Sequence, residues 1–156
     1  MARQQQAGPR VGARRRYSGQ SLVELALLLP LITLILVGAV DLGRVFFYYA
    51  RLTNAVKEGA LYGTYYPTDS ANIVNSAYTE AQGYLGTTGT DFVIDTGSDI
   101  TCYKLLTTTT IPCSSAGTND SIAVRGSYKF RPMTAQVVRI WGTTFTIRKT
   151  VRMVLI

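Results

Sequence analysis

The stretch GQSLVELALLLPLITLILVGAVDLGRVFF, residues 19–47, decides the fold of this chain. It contains no charged residue from Leu25 to Val40, and the charges at the two ends of this run are Glu24 and Asp41. A helix of roughly 20 mostly apolar residues crosses the hydrocarbon core of a bilayer. We therefore predict a transmembrane segment over residues 22–43.

The residues before this stretch are basic. Arg14, Arg15 and Arg16 directly precede it, two further arginines lie nearer to the N-terminus, and no acidic residue stands among them. Because such positive charge marks the cytoplasmic side of a membrane span, we predict that residues 1–19 form a basic cytoplasmic leader. A nucleic-acid-binding protein carries its basic residues on a folded face instead, so we expect no nucleic-acid partner.

The composition argues against an enzyme. The chain contains no histidine and two cysteines, which excludes a Ser-His-Asp triad, an imidazole metal site and an all-cysteine zinc site. The sequence also lacks the common phosphate-binding glycine motifs and the serine-hydrolase and metalloprotease motifs. We therefore predict no catalytic residues, no metal and no cofactor.

Glu24 needs an explanation because burying a lone carboxylate in hydrocarbon is unfavourable. Cleavage of the chain between Gly19 and Gln20 would create an α-amino group four residues before Glu24, about one helical turn away. Two opposite charges at this spacing offset part of each other's cost of desolvation. Glu24 would then set the register between neighbouring helices in an assembly.

Two other interpretations of this stretch stay open. In the first, it is an ordinary secretory signal peptide that is removed after Ala39, and the mature protein is a secreted binding domain. In the second, it is an uncleaved single-pass anchor for an envelope domain, and Glu24 is an interfacial residue at its cytoplasmic end.

Three elements in order, GQSLVELALLLP, DLGRVFF and LTNAVKEGALYG, resemble the TadE-like family of the tight adherence (Tad/Flp pilus) system. The basic leader that ends in Gly19, with Glu24 at the fifth position after it, is similar to class III (type IV-like) prepilin signals. The resemblance implies a non-enzymatic minor pilin, or pseudopilin, that acts in assembly or capping of the pilus in adherence. It also implies processing by a prepilin peptidase between Gly19 and Gln20.

The same resemblance implies a location and a set of partners. The expected partners are the prepilin peptidase, other pilin or pseudopilin subunits contacted through the N-terminal helix, the inner-membrane pilus assembly machinery and the lipid bilayer. The protein would lie in the inner membrane as a single-pass protein, with a cytoplasmic N-terminus and an extracytoplasmic C-terminal domain, or be incorporated in the extracellular pilus.

Beyond Asp41 the apolar residues recur every three or four positions, which is the period of a helix with one buried face. We therefore expect one helix over residues 20–66, which Pro67 ends. Pro30 lies inside this helix and removes a backbone hydrogen bond, so we predict a bend there. Arg44 and the aromatic residues that follow it are expected at the membrane interface.

Residues 67–156 are expected to form an extracytoplasmic α+β head domain. An apolar stripe after Thr68 or Asp69, either of which can act as an N-cap, predicts a second helix that ends near Gly86. The later alternation of apolar and polar residues predicts strands around residues 92–94, 100–106, 121–130 and 145–155. The fold class is therefore α+β and type IV pilin-like, with a long N-terminal transmembrane helix, a second helix and a small antiparallel sheet.

Cys102 and Cys113 enclose a polar segment of the head domain. A domain outside the inner membrane lies in an oxidising compartment, where disulfides persist. The spacing of the two cysteines does not match a redox motif. We predict a structural disulfide, and two free buried thiols or a redox pair are the alternatives.

Overall fold

The structure is a computed structural model that describes residues 19–85, 91–105, 107–134 and 144–156. Its elements are α1 (Gln20–Tyr65), α2 (Ser70–Ala81), β1 (Phe92–Val93), β2 (Ile100–Tyr103), β3 (Thr110–Ile111), a 3₁₀ turn (Cys113–Ser115), β4 (Ser121–Phe130) and β5 (Phe145–Val154). All strand pairs are antiparallel. The predicted α+β class, with a long N-terminal helix, a second helix and a small antiparallel sheet, is confirmed.

The chain divides into two compact units, Met1–Leu36 and Val37–Ile156. The boundary falls within α1. The second unit contains the C-terminal part of α1 together with α2 and the sheet. Residues 37–65 therefore belong to the same compact unit as the residues that we predicted to form the head domain, 67–156.

The strand β4 is the centre of the sheet. One of its edges pairs with β5 over its whole length, from Ser121 opposite Val154 to Phe130 opposite Phe145. Its other edge pairs with β1 and β2, and β2 pairs in turn with β3. Among the described residues β5 has β4 as its one neighbour, so it forms an edge of the sheet.

The C-terminal part of α1 packs on one face of this sheet. Its buried residues recur with the helical period predicted from the sequence. The closest approach is at Gly126 in the middle of β4, where a Cβ atom would lie 2.5 Å from Cγ2 of Val56 and 3.2 Å from Cδ1 of Leu52. Only a residue without a side chain allows the helix and the strand to approach this closely.

The helix α2 packs against α1 and begins where the sequence predicts. Asp69 is its N-cap, and its carboxylate accepts a hydrogen bond from the backbone N–H of Asn72 at 3.1 Å. The two helices approach closely at Gly59 of α1, where a Cβ atom would lie 2.9 Å from the carbonyl oxygen of Ile73 and 3.0 Å from Cβ of Ala77.

The end of α2 differs from the prediction. The helix ends at Ala81, because Gln82 leaves the helical conformation and Gly83 adopts a φ of +82°. Leu85 is fully buried after the helix has ended. The apolar stripe predicted to continue the helix therefore belongs to a turn that packs on the core, and Gly86 lies outside the described residues.

The hairpin of β2 and β3 also differs from the prediction. The strand β2 ends at Tyr103 rather than continuing through residue 106. The chain turns because the backbone N–H of Leu105 donates to the side chain of Asp120 at 2.9 Å instead of to a neighbouring strand. The short strand β3 was not predicted, since two residues are too few for a period to be visible.

Cys102 and Cys113 form a disulfide, as predicted. Cys102 is fully buried in β2, and Cys113 begins the 3₁₀ turn that follows β3. The bond therefore joins the central part of the sheet to the loop that leads into β4.

Replacing both cysteines by serine is expected to lower the free energy of unfolding by about 2–3 kcal/mol, because the unfolded chain gains the freedom that the closed loop removes. Urea or thermal unfolding of the purified protein in detergent would measure the loss. The matched control is the wild-type protein under reducing conditions, which should show the same loss. Equal stability of the double variant and the oxidised wild type would contradict the structural role.

Candidate assembly site

The first part of α1 exposes a mainly apolar surface. The helix is long and apolar enough to cross a membrane, and the apolar window of the helix is not buried in the structure. Its exposed apolar side chains are Leu22, Val23, Leu25, Leu27, Leu28, Leu29, Leu31, Ile32, Leu34, Ile35 and Leu36. Since water solvates such a surface poorly, it requires lipid or other apolar helices around it.

The predicted cleavage residues lie at the start of this helix. Gln20 is the first residue of α1, and Gly19 directly precedes it in a turn. The carbonyl oxygen of Gly19 accepts a hydrogen bond from the backbone N–H of Val23 at 3.2 Å. Both Gly19 and Gln20 are exposed. A cut between them would place a new α-amino group on the first residue of the helix.

Glu24 lies in the second turn of α1 and is exposed. It makes no ion pair and no side-chain hydrogen bond with any residue in the described ranges. A carboxylate that is needed for stability of the fold would be expected to bind partners within the chain. Its predicted role in setting helix register therefore remains a prediction about an assembly. The topogenic arginines Arg14, Arg15 and Arg16 lie outside the described residues.

Pro30 lies inside α1, as predicted. Because proline has no backbone N–H, the carbonyl group of Ala26 loses its usual donor four residues later. Three residues after the proline, the Thr33 hydroxyl donates to the carbonyl oxygen of Leu29 at 2.8 Å. The bend at Pro30 stays a prediction.

Asp41 follows the apolar run directly, and it attaches α1 to the end of the sheet. Asp41 is 6% exposed. Its carboxylate accepts hydrogen bonds from the backbone N–H of Met133 at 2.9 Å and from the backbone N–H and the hydroxyl of Thr134, both at 2.8 Å. The guanidinium group of Arg44 lies 3.2 Å from the same carboxylate and forms an ion pair with it. We call this arrangement the Asp41 clasp.

Aromatic rings surround the clasp on its sheet side. The guanidinium group of Arg44 lies 5.3 Å from the centre of the Phe130 ring, and the ring of Tyr48 stacks on that of Tyr128 at 4.9 Å. We expected Arg44 and the neighbouring aromatic residues at the membrane interface. Arg44 and Tyr48 pack onto the end of β4, where they contact a carboxylate and two rings. The position of these residues at a membrane interface stays a prediction.

A second buried carboxylate, that of Asp120, organises the loops beside β4. Asp120 is 2% exposed, and it accepts hydrogen bonds from the backbone N–H groups of Gly117 and Leu105 and from the ammonium group of Lys104. The hydrogen bond from Gly117 is the main reason why the pKa of Asp120 lies below its ordinary value of 3.8. Leu105 and Lys104 act in the same direction, and burial opposes them.

The carboxylate of Asp120 should make the stability of the folded chain depend on pH in the acidic range. Since the pKa of Asp120 is lower in the folded than in the unfolded chain, its stabilising effect is fully present above the unfolded pKa and is lost as the pH falls through the folded pKa. We expect the midpoint of thermal unfolding to fall more steeply below about pH 4 in the wild type than in Asp120→Asn. Parallel pH profiles of the two proteins would contradict this.

The described residues contain no group of three or more acidic or cysteine side chains that could hold a metal ion. Three features of the described residues are relevant to function: the exposed apolar segment of α1, the predicted cleavage bond that precedes it, and the Asp41 clasp of the second unit. The sequence pointed to the first two of these. It missed the clasp because the partners of Asp41 lie 92 and 93 residues further along the chain.

The fold and these features define an α+β protein whose described residues include one candidate membrane helix, consistent with a pilin-like fold. Residues 19–61 match the family model described as TadE-like protein. The resemblance predicted from the sequence is therefore confirmed for this segment, and the family suggests a protein associated with the Tad pilus. No curated protein and no solved structure matches the chain.

Proposed function

We propose that this protein is a TadE-like minor pilin, or pseudopilin, that takes part in assembling or capping a Tad-type pilus. In this proposal a prepilin peptidase removes residues 1–19, and the helix that begins at Gln20 holds the protein in the inner membrane. Other pilin subunits and the inner-membrane assembly machinery contact that helix, while the α+β unit lies outside the membrane. The role is structural and not enzymatic.

One observation carries the proposal. The helix α1 begins at Gln20, directly after the predicted cleavage residue, and the match to the TadE-like model begins at Gly19. The apolar surface that follows is exposed, so it is available to lipid before assembly and to neighbouring helices within an assembly. Glu24 is the one charge on this surface between Gln20 and Val40.

The test is deletion of the gene followed by complementation, with pili counted by electron microscopy. We expect the deletion to remove pili or reduce their number, and the wild-type gene to restore them. Normal piliation in the deletion strain would contradict a role in assembly. Cell fractionation of the complemented strain should place the protein with the membrane.

The division of the chain favours one competing function. The second compact unit begins at Val37, close to the point after Ala39 where an ordinary signal peptide would be cut. A domain released there would keep Asp41 and the clasp, and it would be a secreted binding domain without a membrane helix. Recovery of the protein in the soluble extracytoplasmic fraction would favour this function over the pilin role.

A further inference from the structure

One end of the second unit exposes large apolar side chains that come from separate elements. They are Leu42 and Phe46 of α1, Met133 in the turn after β4, and Phe145 at the start of β5. Leu42 and Phe46 are 72% and 75% exposed. Met133 and Phe145 are 51% and 49% exposed. We call these four side chains the apolar rim.

The two helical members of the rim lie on the side of α1 that is next to β5. Leu42, Phe46 and Tyr49 follow one another at intervals of four and three residues, so they share one face of the helix. The Tyr49 hydroxyl accepts a hydrogen bond from the ammonium group of Lys149 in β5 at 3.0 Å. Lys149 follows Phe145 at an even interval, so both side chains project from the same face of the strand. The rim residues of α1 and β5 therefore lie on one side of the unit.

Contacts within the unit fix the level of the rim along α1. The backbone N–H of Met133 donates to the Asp41 carboxylate at 2.9 Å, so Met133 lies at the level of residue 41. Phe145 stands opposite Phe130 in the sheet, and the Arg44 guanidinium lies 5.3 Å from the centre of the Phe130 ring. The rim therefore extends from the level of residue 41 to that of residue 46, which is about 8 Å along the helix.

These levels coincide with the predicted end of the membrane span. The span predicted from the sequence covers residues 22–43, and residues 37–43 belong to the second unit. The interfacial layer of a bilayer is about 5–8 Å thick on each side of the hydrocarbon core. A span that ends at residue 43 therefore brings the apolar rim into this layer.

The carboxylates at this end of the sheet are paired. Asp41 is bound by its backbone and hydroxyl donors and by Arg44. Asp91, whose carbonyl oxygen accepts the backbone N–H of Lys129 near the end of β4, forms an ion pair with Arg131 at 3.0 Å. A paired carboxylate enters a poorly hydrated layer at a lower cost than an unpaired one. The polar groups around the rim are therefore compatible with the surface of a bilayer.

We propose that the apolar rim inserts into the extracytoplasmic leaflet, so that the second unit contacts lipid through its sheet as well as through α1. The inference rests on the proposed location of the protein in the inner membrane. Exposed apolar side chains gain free energy when they leave water for the interface. Lipid is the expected occupant because the rim continues the exposed apolar surface of α1, which reaches Val40. Contact through several elements would hold the unit in one orientation on the membrane.

The test is the depth of fluorescent probes in the full chain, reconstituted in phosphatidylcholine vesicles. Met133→Cys and Phe145→Cys are each labelled with a thiol-reactive fluorophore without reductant, so that the disulfide of Cys102 and Cys113 stays closed. Phosphatidylcholine with bromine atoms near the headgroup end of its acyl chains should reduce the fluorescence of both probes. Val154→Cys is the matched control. Val154 is exposed at the other end of β5, about 30 Å from Phe145, so its probe should keep its fluorescence.

Unchanged fluorescence of both rim probes, in variants that unfold at the temperature of the wild type, would overturn the proposal. Equal quenching at Val154→Cys would also overturn it, because the unit would then lie along the membrane surface. If a second copy covers the rim instead, unlabelled Phe145→Cys should form a disulfide between copies and its probe should be shielded from bromine, which contradicts the proposal too.

The same probes separate this contact from the role in the pilus. If the deletion strain keeps normal pili while both rim probes are quenched, the pilus role fails and the lipid contact stands. If pili are lost in the deletion strain while the rim probes are not quenched, the lipid contact fails and the pilus role stands.

Discussion

Glu24→Ala is expected to remove most pili, by about tenfold or more, while the cut between Gly19 and Gln20 still occurs. The new α-amino group and the Glu24 carboxylate lie about one helical turn apart, within one chain or between staggered neighbours. Without the carboxylate, each amine enters the apolar assembly without its partner, and an unpaired charge there is unfavourable. A loss of about 1.4 kcal/mol per contact already changes an equilibrium constant tenfold.

Three variants distinguish the effect of the charge of Glu24 on piliation from the effect of its size. Glu24→Gln keeps the size of the side chain and should fail in the same way, whereas Glu24→Asp keeps the charge and should retain part of the assembly. Glu58→Ala removes an exposed carboxylate of the same helix, beyond its apolar segment, and should assemble nearly normally. Pili are counted by electron microscopy and processing is followed by mass spectrometry. Normal piliation in Glu24→Ala with complete processing would contradict the proposed role of Glu24.

Asp41→Ala is expected to lower the free energy of unfolding of the second unit by about 3 kcal/mol. The carboxylate accepts hydrogen bonds from two backbone N–H groups and one hydroxyl, and it pairs with Arg44. Its removal leaves these donors and the Arg44 guanidinium without their acceptor. The turn at Met133 and Thr134 should then detach from α1.

Thermal unfolding in detergent measures the loss of stability, and hydrogen exchange at the amides of Met133 and Thr134 locates it. Glu58→Ala is the control, since Glu58 is an exposed acid of the same helix and should change stability by less than about 0.5 kcal/mol. Asp41→Asn should lower the free energy of unfolding by an amount between those of Asp41→Ala and Glu58→Ala, because it keeps one acceptor and loses the charge. Unchanged exchange at both amides in Asp41→Ala would show that the clasp does not hold this turn.

The local patterns of the sequence predicted the long elements well. The helix expected over residues 20–66 is found as Gln20–Tyr65, and the strand expected over 121–130 has those same limits. Each of these two predictions rests on many apolar residues that recur with a single period. The boundaries also have a local cause in the sequence, such as Pro67 directly after the helix. Asp69 was predictable as an N-cap for the same reason, because its partner is three residues away.

The features that depend on distant partners were not predictable. Asp41 was interpreted as the end of an uncharged run, yet its donors come from a turn after β4. Asp120 shortened the predicted strand β2 by binding the N–H of Leu105, which is 15 residues away in sequence. Which side chains of β4 and β5 share one face of the sheet likewise emerges only when the register of the two strands is known.

The mature N-terminus is the most direct test of prepilin-type processing. Terminal-peptide mass spectrometry on protein isolated from membranes should find a chain that begins at Gln20, with the new amine available to Glu24. A chain that begins at Val40 would mean that the apolar helix is a discarded signal and the protein is secreted. An intact leader, beginning at Met1 or Ala2, would contradict prepilin-type processing and leave a simple membrane anchor.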